Sequence, residues 1–212
     1  MAYPTIDAPY GLVPVGLIGG QAYVGSTRQM KIASNYGTAI GKGDLVKRIN
    51  DGTIERDAVT TAVTATGSMG VFMGCKYTDP NTNQLTFNNQ YPGSIVASDI
   101  FAFVCDDPDV VFKVACCSSG ETIASVARTA LGNNIALINN TLETSNGISR
   151  VAADSTTEAV TSTLPFKVID VVEDTKTGSD AFVEILVIFN PPKDNGSNVL
   201  IGGHAYHNPV GI

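Results

Sequence analysis

Three carboxylates crowd around one proline in the stretch DDPD, formed by Asp106, Asp107, Pro108 and Asp109. Hard cations such as Ca²⁺ are held by clustered oxygen ligands, so the first chemistry this spacing suggests is a metal site. The twelve-residue calcium loop with its closing Glu is absent, however. Proline also lacks a backbone donor and restricts the residue before it to extended conformations. The apolar runs IFAFVC and VVFKVACC enter and leave the cluster, so the expected role of the four residues is a structural corner that aims two strands. The histidines, His204 and His207, lie in HAYHNP, where no Cys or acidic residue follows to complete a ligand set. A polar contact is expected of them.

Nucleophilic catalysis finds no footing either. A reactive serine would need a histidine and a strained elbow, and no G-x-S-x-G stretch occurs. GTAIGKGD, residues 37–44, approaches a phosphate-binding loop, but Lys42 is followed by Gly rather than Ser or Thr, and the gap between its first two glycines is short. Cys75, Cys105, Cys116 and Cys117 lack the C-x-x-C spacing of a zinc or redox site and lie in apolar runs, which predicts buried free thiols. Tyr77 and Tyr91 flank an Asn-rich segment and offer the one candidate platform for stacking a sugar. The residues therefore predict a protein that is not an enzyme and binds no cofactor.

The elements that must position these residues are mostly strands. Short runs such as QMKIAS, DLVKRI, AVTTAVTA, MGVFMGCKY, QLTF, SIVASDIFAFVC, NIALIN, ISRVA, PFKVIDVV and DAFVEILVIF are rich in β-branched and aromatic residues. Turn formers separate them, including Asn50-Asp51-Gly52, where Asp-Gly tolerates the positive φ of a tight turn. Only Glu121 to Leu131, ETIASVARTAL, carries a helical apolar face, with Gly132 to stop it. The prediction is a mainly β chain: an antiparallel sandwich or barrel-like body of about ten strands with at most one or two short helices.

The body is expected over residues 29–190, between an extended N-terminal arm at 1–28 and a C-terminal arm at 191–212. In the first arm Pro4, Pro9 and Pro14 break any regular period, yet Tyr3, Ile6, Tyr10, Leu12, Val13, Val15, Leu17 and Ile18 make it apolar, unlike a disordered tail. Such a segment should lie on its own body or on a neighbouring subunit, and at ~3.3 Å per residue it could span up to ~80 Å. No basic leader precedes its apolar part, so neither a signal peptide nor a membrane helix is expected, and a reducing cytoplasm is the expected place of synthesis.

Charged residues make up only 16% of the chain, so its surface must be neutral and polar, which suits contact with other protein. The net charge of −7 would be repelled by a phosphate backbone, so no direct nucleic-acid partner is expected, and with no membrane helix expected, no membrane partner is expected either.

PYGLVPVGLIGGQAY, YGTAIGKGDLVKR, GVFMGCKYTDP, AFVCDDPDVVFKV, TSTLPFKVIDVVED and AFVEILVIFN follow one another in an order that resembles a family of tailed-bacteriophage virion proteins, the capsid decoration (cement) or head structural proteins. The likeness runs from about Pro9 to Asn190 and is sharpest at Gly70–Pro80 and at Asp106–Phe112. The resemblance implies a non-enzymatic protein on the outer surface of the virion capsid, made in the bacterial host cytoplasm. Its implied partners are the major capsid protein and copies of itself, as a homo-oligomer (trimer or dimer), and the apolar arm residues would make those contacts. It implies no catalytic residue. The alternative reading is another virion surface protein that binds a host glycan through Tyr77 and Tyr91.

Overall fold

A computed structural model describes residues 6–58, 68–161, 164–178 and 180–190. Tyr3, the expected strand AVTTAVTA beyond Ala58, and the expected C-terminal arm with its two histidines lie outside the described residues.

In chain order the strands are β1 (Val13–Leu17), β2 (Arg28–Lys31), β3 (Leu45–Arg48), β4 (Ile54–Arg56), β5 (Ser68–Thr78), β6 (Leu85–Asn88), β7 (Phe101–Cys105), β8 (Val110–Ser119) and β9 (Thr122–Ile123). They continue as β10 (Val126–Ala127), β11 (Asn134–Ile135), β12 (Leu137–Ile138), β13 (Ala152–Asp154), β14 (Phe166–Val171), β15 (Lys176–Thr177), β16 (Ala181–Phe182) and β17 (Glu184–Phe189). The protein is mainly β, as its alternating runs require, and the larger of its sheets is nearly closed and barrel-like.

That sheet orders its strands β11-β14-β17-β8-β13-β12, with β1 and β9 also paired to β8. A second sheet runs β2-β7-β5-β3-β4, with β6 added on β5, and a small third one runs β10-β16-β15. β8 is the spine of the first sheet because VVFKVACC is apolar on both faces. Seven of its first eight residues are buried, as befits a strand covered from both sides.

Adjacent residues of the second sheet serve two different cores. Leu45, Val71 and Cys105 belong to the main cluster around Phe112, Phe166 and Ile185, whereas their neighbours Val46, Phe72 and Val104 belong to a smaller cluster around Tyr91, Ile32 and Ile100. Successive side chains of a strand point to opposite faces, so this sheet is a shared middle layer. One face packs on the barrel-like sheet, and the other is roofed by loop residues such as Ile40, Tyr91 and Ile100.

Local propensity is overridden at three places. Glu121 to Leu131 forms no α-helix: β9 turns back on β8, Val126 pairs with Phe182 in β16, and only Arg128–Ala130 coils, as a single 3₁₀ turn. These non-local pairings bury Val126 and Ala130 in the main core, which a weak, β-branched helical stripe cannot match. SIVASDIFAFVC is strand only from Phe101, because Ile95, Ala97 and Ile100 pack against the smaller core as loop. NIALIN splits at Ala136, and its halves join different partners, β11 with β14 and β12 with β13.

Close approach explains one glycine of the middle layer. A Cβ on Gly70 would sit 2.6 Å from the Cys105 carbonyl oxygen and 2.6 Å from Val104 Cγ1. Backbone cannot yield as a side-chain tip can, so Gly70→Ala is expected to lower stability by ~2–3 kcal/mol, read as a drop in the urea midpoint at unchanged slope. A loss below ~0.5 kcal/mol would show that the two strands separate without cost.

The four cysteines are free and buried. Burial pushes the Cys75 thiol from 9.0 up to about 12 and the Cys117 thiol up to about 11, and raises Cys116 further. A thiol with a raised folded-state pKa stabilises the fold fully below its unfolded value and loses that contribution as pH climbs toward the folded value. The unfolding free energy from urea titration should therefore stay level from pH 7 to about 8.5 and then fall by at least ~1 kcal/mol per pH unit between pH 9 and 11. A level value through pH 11 would contradict the burial.

Candidate interaction surface

The N-terminal segment is laid on its own body. β1 pairs antiparallel with β8, from Val13 opposite Lys113 to Leu17 opposite Val110. Three further backbone bonds hold the segment: Gly11 N–H to Val151 O at 3.1 Å, Leu12 N–H to Gly43 O at 3.0 Å, and Ile18 N–H to Asp109 O at 2.9 Å.

A part-buried polar contact adds a latch. The Tyr10 hydroxyl donates to the Glu184 carboxylate. Lys113 Nζ lies 3.2 Å from the same carboxylate and 5.5 Å from the centre of the Tyr10 ring. Burial first, and the Glu184 carboxylate second, raise the Tyr10 hydroxyl well above the usual phenol range, so it remains a donor.

The arm residues divide by what they touch. Leu12, 1% exposed, is part of the main core, so it is not presented to a neighbour. Ile6, Tyr10, Leu17 and Ile18 are half-buried. Val13 and Val15 turn outward, 37% and 43% exposed. An open hollow of about 470 Å³ lies against β1, lined by Val15, Leu17, Ile18, Val111, Ile169 and Leu186. Another of about 330 Å³ is lined by Tyr10, Leu12, Val13, Tyr23, Met73 and Ile148. The segment thus presents Val13 and Val15 beside two mostly apolar depressions.

At Asp106, Asp107, Pro108 and Asp109 the chain crosses from β7 in the second sheet to β8 in the first. Asp107 Oδ1 accepts from the Asp109 amide at 2.9 Å, and its carbonyl accepts from the Val110 amide at 3.3 Å, which closes the turn. Asp106 pairs with Arg28 at 3.1 Å. Among the described residues no three His, Cys, Asp or Glu side chains converge as metal ligands would.

The segment 37–44 has its loop amides engaged internally. Gly41 N–H donates to Asp44 Oδ2 at 2.8 Å and Lys42 N–H to Gly147 O at 2.9 Å. A phosphate cradle needs such amides aimed outward.

The tyrosine platform is overturned. Tyr77 and Tyr91 are 5% and 0% exposed, because Tyr77 falls on the face of the second sheet that the loops cover and Tyr91 is one of the loop residues that cover it. Tyr91 instead stacks on Tyr36 at 6.1 Å and donates its hydroxyl to the Tyr36 carbonyl at 2.8 Å. The aromatic side chain that the hairpin does expose is Phe87, on the other face. Its signal in the sequence was strand parity: Phe87 lies opposite Lys76 and so shares the face that Tyr77 avoids.

Compared with protein-family models, curated proteins and solved structures, the chain finds no match.

Removing the latch tests how firmly the segment is held. Tyr10→Phe withdraws one donor from a buried carboxylate and is expected to cost ~1–2 kcal/mol, measured by urea titration, with faster proteolysis between Ile6 and Gly25. Unchanged cleavage and midpoint would mean that the β1 ladder suffices alone.

Proposed function

We propose that this chain is a non-enzymatic decoration (cement) protein of a tailed-bacteriophage head, bound to the outer capsid surface and stabilising it. The observation that carries the reading is the apolar N-terminal segment. It is laid across a rigid β body with Val13 and Val15 turned outward beside two mostly apolar hollows. The resemblance of six successive stretches to that virion family supports it, as does a surface poor in charge.

The physics suits such a role. Non-local strand pairing makes a stiff body, and a modest contact repeated around a symmetric shell becomes a strong clamp. On this reading the major capsid protein seats its side chains in the hollows beside β1. The DDPD corner is architecture, since it hands the chain from one sheet to the other.

The test is rebinding of purified protein to heads that lack it, followed by co-sedimentation and cryo-electron microscopy. Val13→Asp with Val15→Asp changes only outward side chains and should leave the melting temperature within a few degrees. It should also weaken head occupancy by at least ~10-fold, which corresponds to about 1.4 kcal/mol. Full occupancy by the double variant, or density confined to the tail, would overturn the proposal.

A further inference from the structure

The β6 edge of the second sheet is short but carries none of the other usual guards. β6 has β5 as its only strand partner among the described residues. Edge strands are normally protected by charge, proline, bulges or brevity. β1 carries Pro14 and a register shift between Pro14 and Gly16, and Gln21 and Ala22 fold back on it. β2 begins and ends with Arg28 and Lys31, and β4 carries Glu55 and Arg56. β6 reads Leu-Thr-Phe-Asn, with no charge and no proline, and Leu85 and Phe87 are 60% and 65% exposed.

The hydrogen-bond phase of this edge follows from its turn. Asp79 N–H donates to Gln84 O at 2.9 Å. In an antiparallel ladder bonded pairs alternate with non-bonded ones, so with Thr78 opposite Leu85 and Tyr77 opposite Thr86 the bonded residues of β6 are Thr86 and Asn88. The amides and carbonyls of Leu85 and Phe87 therefore face the open edge. Their side chains lie together on one face, where the Phe87 ring stacks against Phe103 at 6.3 Å and 10° and Lys76 Nζ sits 5.6 Å from the Phe101 ring centre.

We infer that β6 is a self-pairing edge whose occupant is β6 of a second copy of this chain, related by a twofold axis at Thr86. In that register Leu85 lies opposite Phe87 of the second copy and Phe87 opposite its Leu85. All four residues present outward backbone groups, so the two pairs exchange four N–H···O bonds. Each pair also sets an aliphatic side chain against an aromatic one, a favourable cross-strand combination, while the threonines meet on the opposite face. Gln84 comes opposite Asn88, so no cross-edge pair is charged even though each copy carries −7. The two Lys76 positions lie at least three strand spacings apart, ~14 Å, beyond the screening length of physiological salt. The second sheets of both copies then join into one. A four-residue edge is smaller than a standard interface, so the free chains associate weakly, and repetition on a shell would add avidity.

Sedimentation equilibrium of the full chain from about 5 to about 500 µM reads the pairing with no capsid in the assay, so its outcome is independent of the proposed function. The expected result is a monomer–dimer equilibrium that Phe87→Lys and Leu85→Pro each weaken at least ~10-fold. Leu85→Pro removes an outward donor and leaves the β5–β6 ladder bonds in place. Val160→Lys, at an exposed site outside β6, should leave the equilibrium unchanged. Should Leu85→Pro fail to fold, Thr86→Cys carries the test. Non-bonded partners approach to ~4.5 Å between Cα atoms, within disulfide range, and the four native thiols are buried, so mild oxidation should give a covalent dimer. A wild-type monomer throughout, association untouched by the β6 variants, or no cross-link where the wild type dimerises would each overturn the inference. Loss with Phe87→Lys but not with a folded Leu85→Pro would overturn strand pairing in favour of side-chain contact alone.

Discussion

A carboxylate with no solvent exposure ties the structure together. Asp44 accepts from Arg56 Nε at 2.9 Å, Arg56 Nη2 at 3.2 Å, Ser149 Oγ at 2.6 Å and the Gly41 amide at 2.8 Å. Arg56 also donates to the Asn140 carbonyl at 2.9 Å. A buried charge is tolerated only when paired and fully hydrogen-bonded. Satisfying it brings together the loop before β3, strand β4 and the segment around Ser149, which are far apart in sequence. The chain entering β1 passes this point as well, for Gly11 lies so close to Ser149 that an added Cβ would come within 2.6 Å of it.

From that anchor the middle layer follows. With β3 and β4 placed, the second sheet contributes Leu45, Val71 and Cys105 to the barrel-like sheet on one face and Val46, Phe72 and Val104 to the loop-covered core on the other. In the same sheet Leu85 and Phe87 stay exposed on β6, where no loop or strand covers them among the described residues.

The N-terminal segment shows how far local reading reaches. Prolines, glycines and apolar residues marked it as extended and in need of a surface, and left its own body and a neighbour as open choices. The body is where it lies, since β8 offers an open edge, Leu12 a place in the core and Glu184 a buried acceptor for Tyr10. The same folding leaves Val13 and Val15 outward, a division set by strand parity. Tyr77 and Phe87 teach the converse. Both belong to one hairpin, but only knowledge of which face the loops roof distinguishes a buried ring from an exposed one.

Alternation of apolar and polar residues, turn chemistry and the absence of strong helical periods are local properties, and they determined a β-rich chain, the DDPD corner and buried thiols. Which strand joins which sheet was not local. Glu121 to Leu131 had a helical stripe and became two strand pieces because Val126 found Phe182 more than fifty residues away. NIALIN was one apolar run and was divided between partners. The exposed β6 edge, the hollows beside β1 and the pairing of Asp44 with Arg56 arose only on assembly. Burial and cross-strand pairing depend on residues distant in sequence, and their free energies exceed the fraction of a kcal/mol per residue by which propensity distinguishes helix from strand.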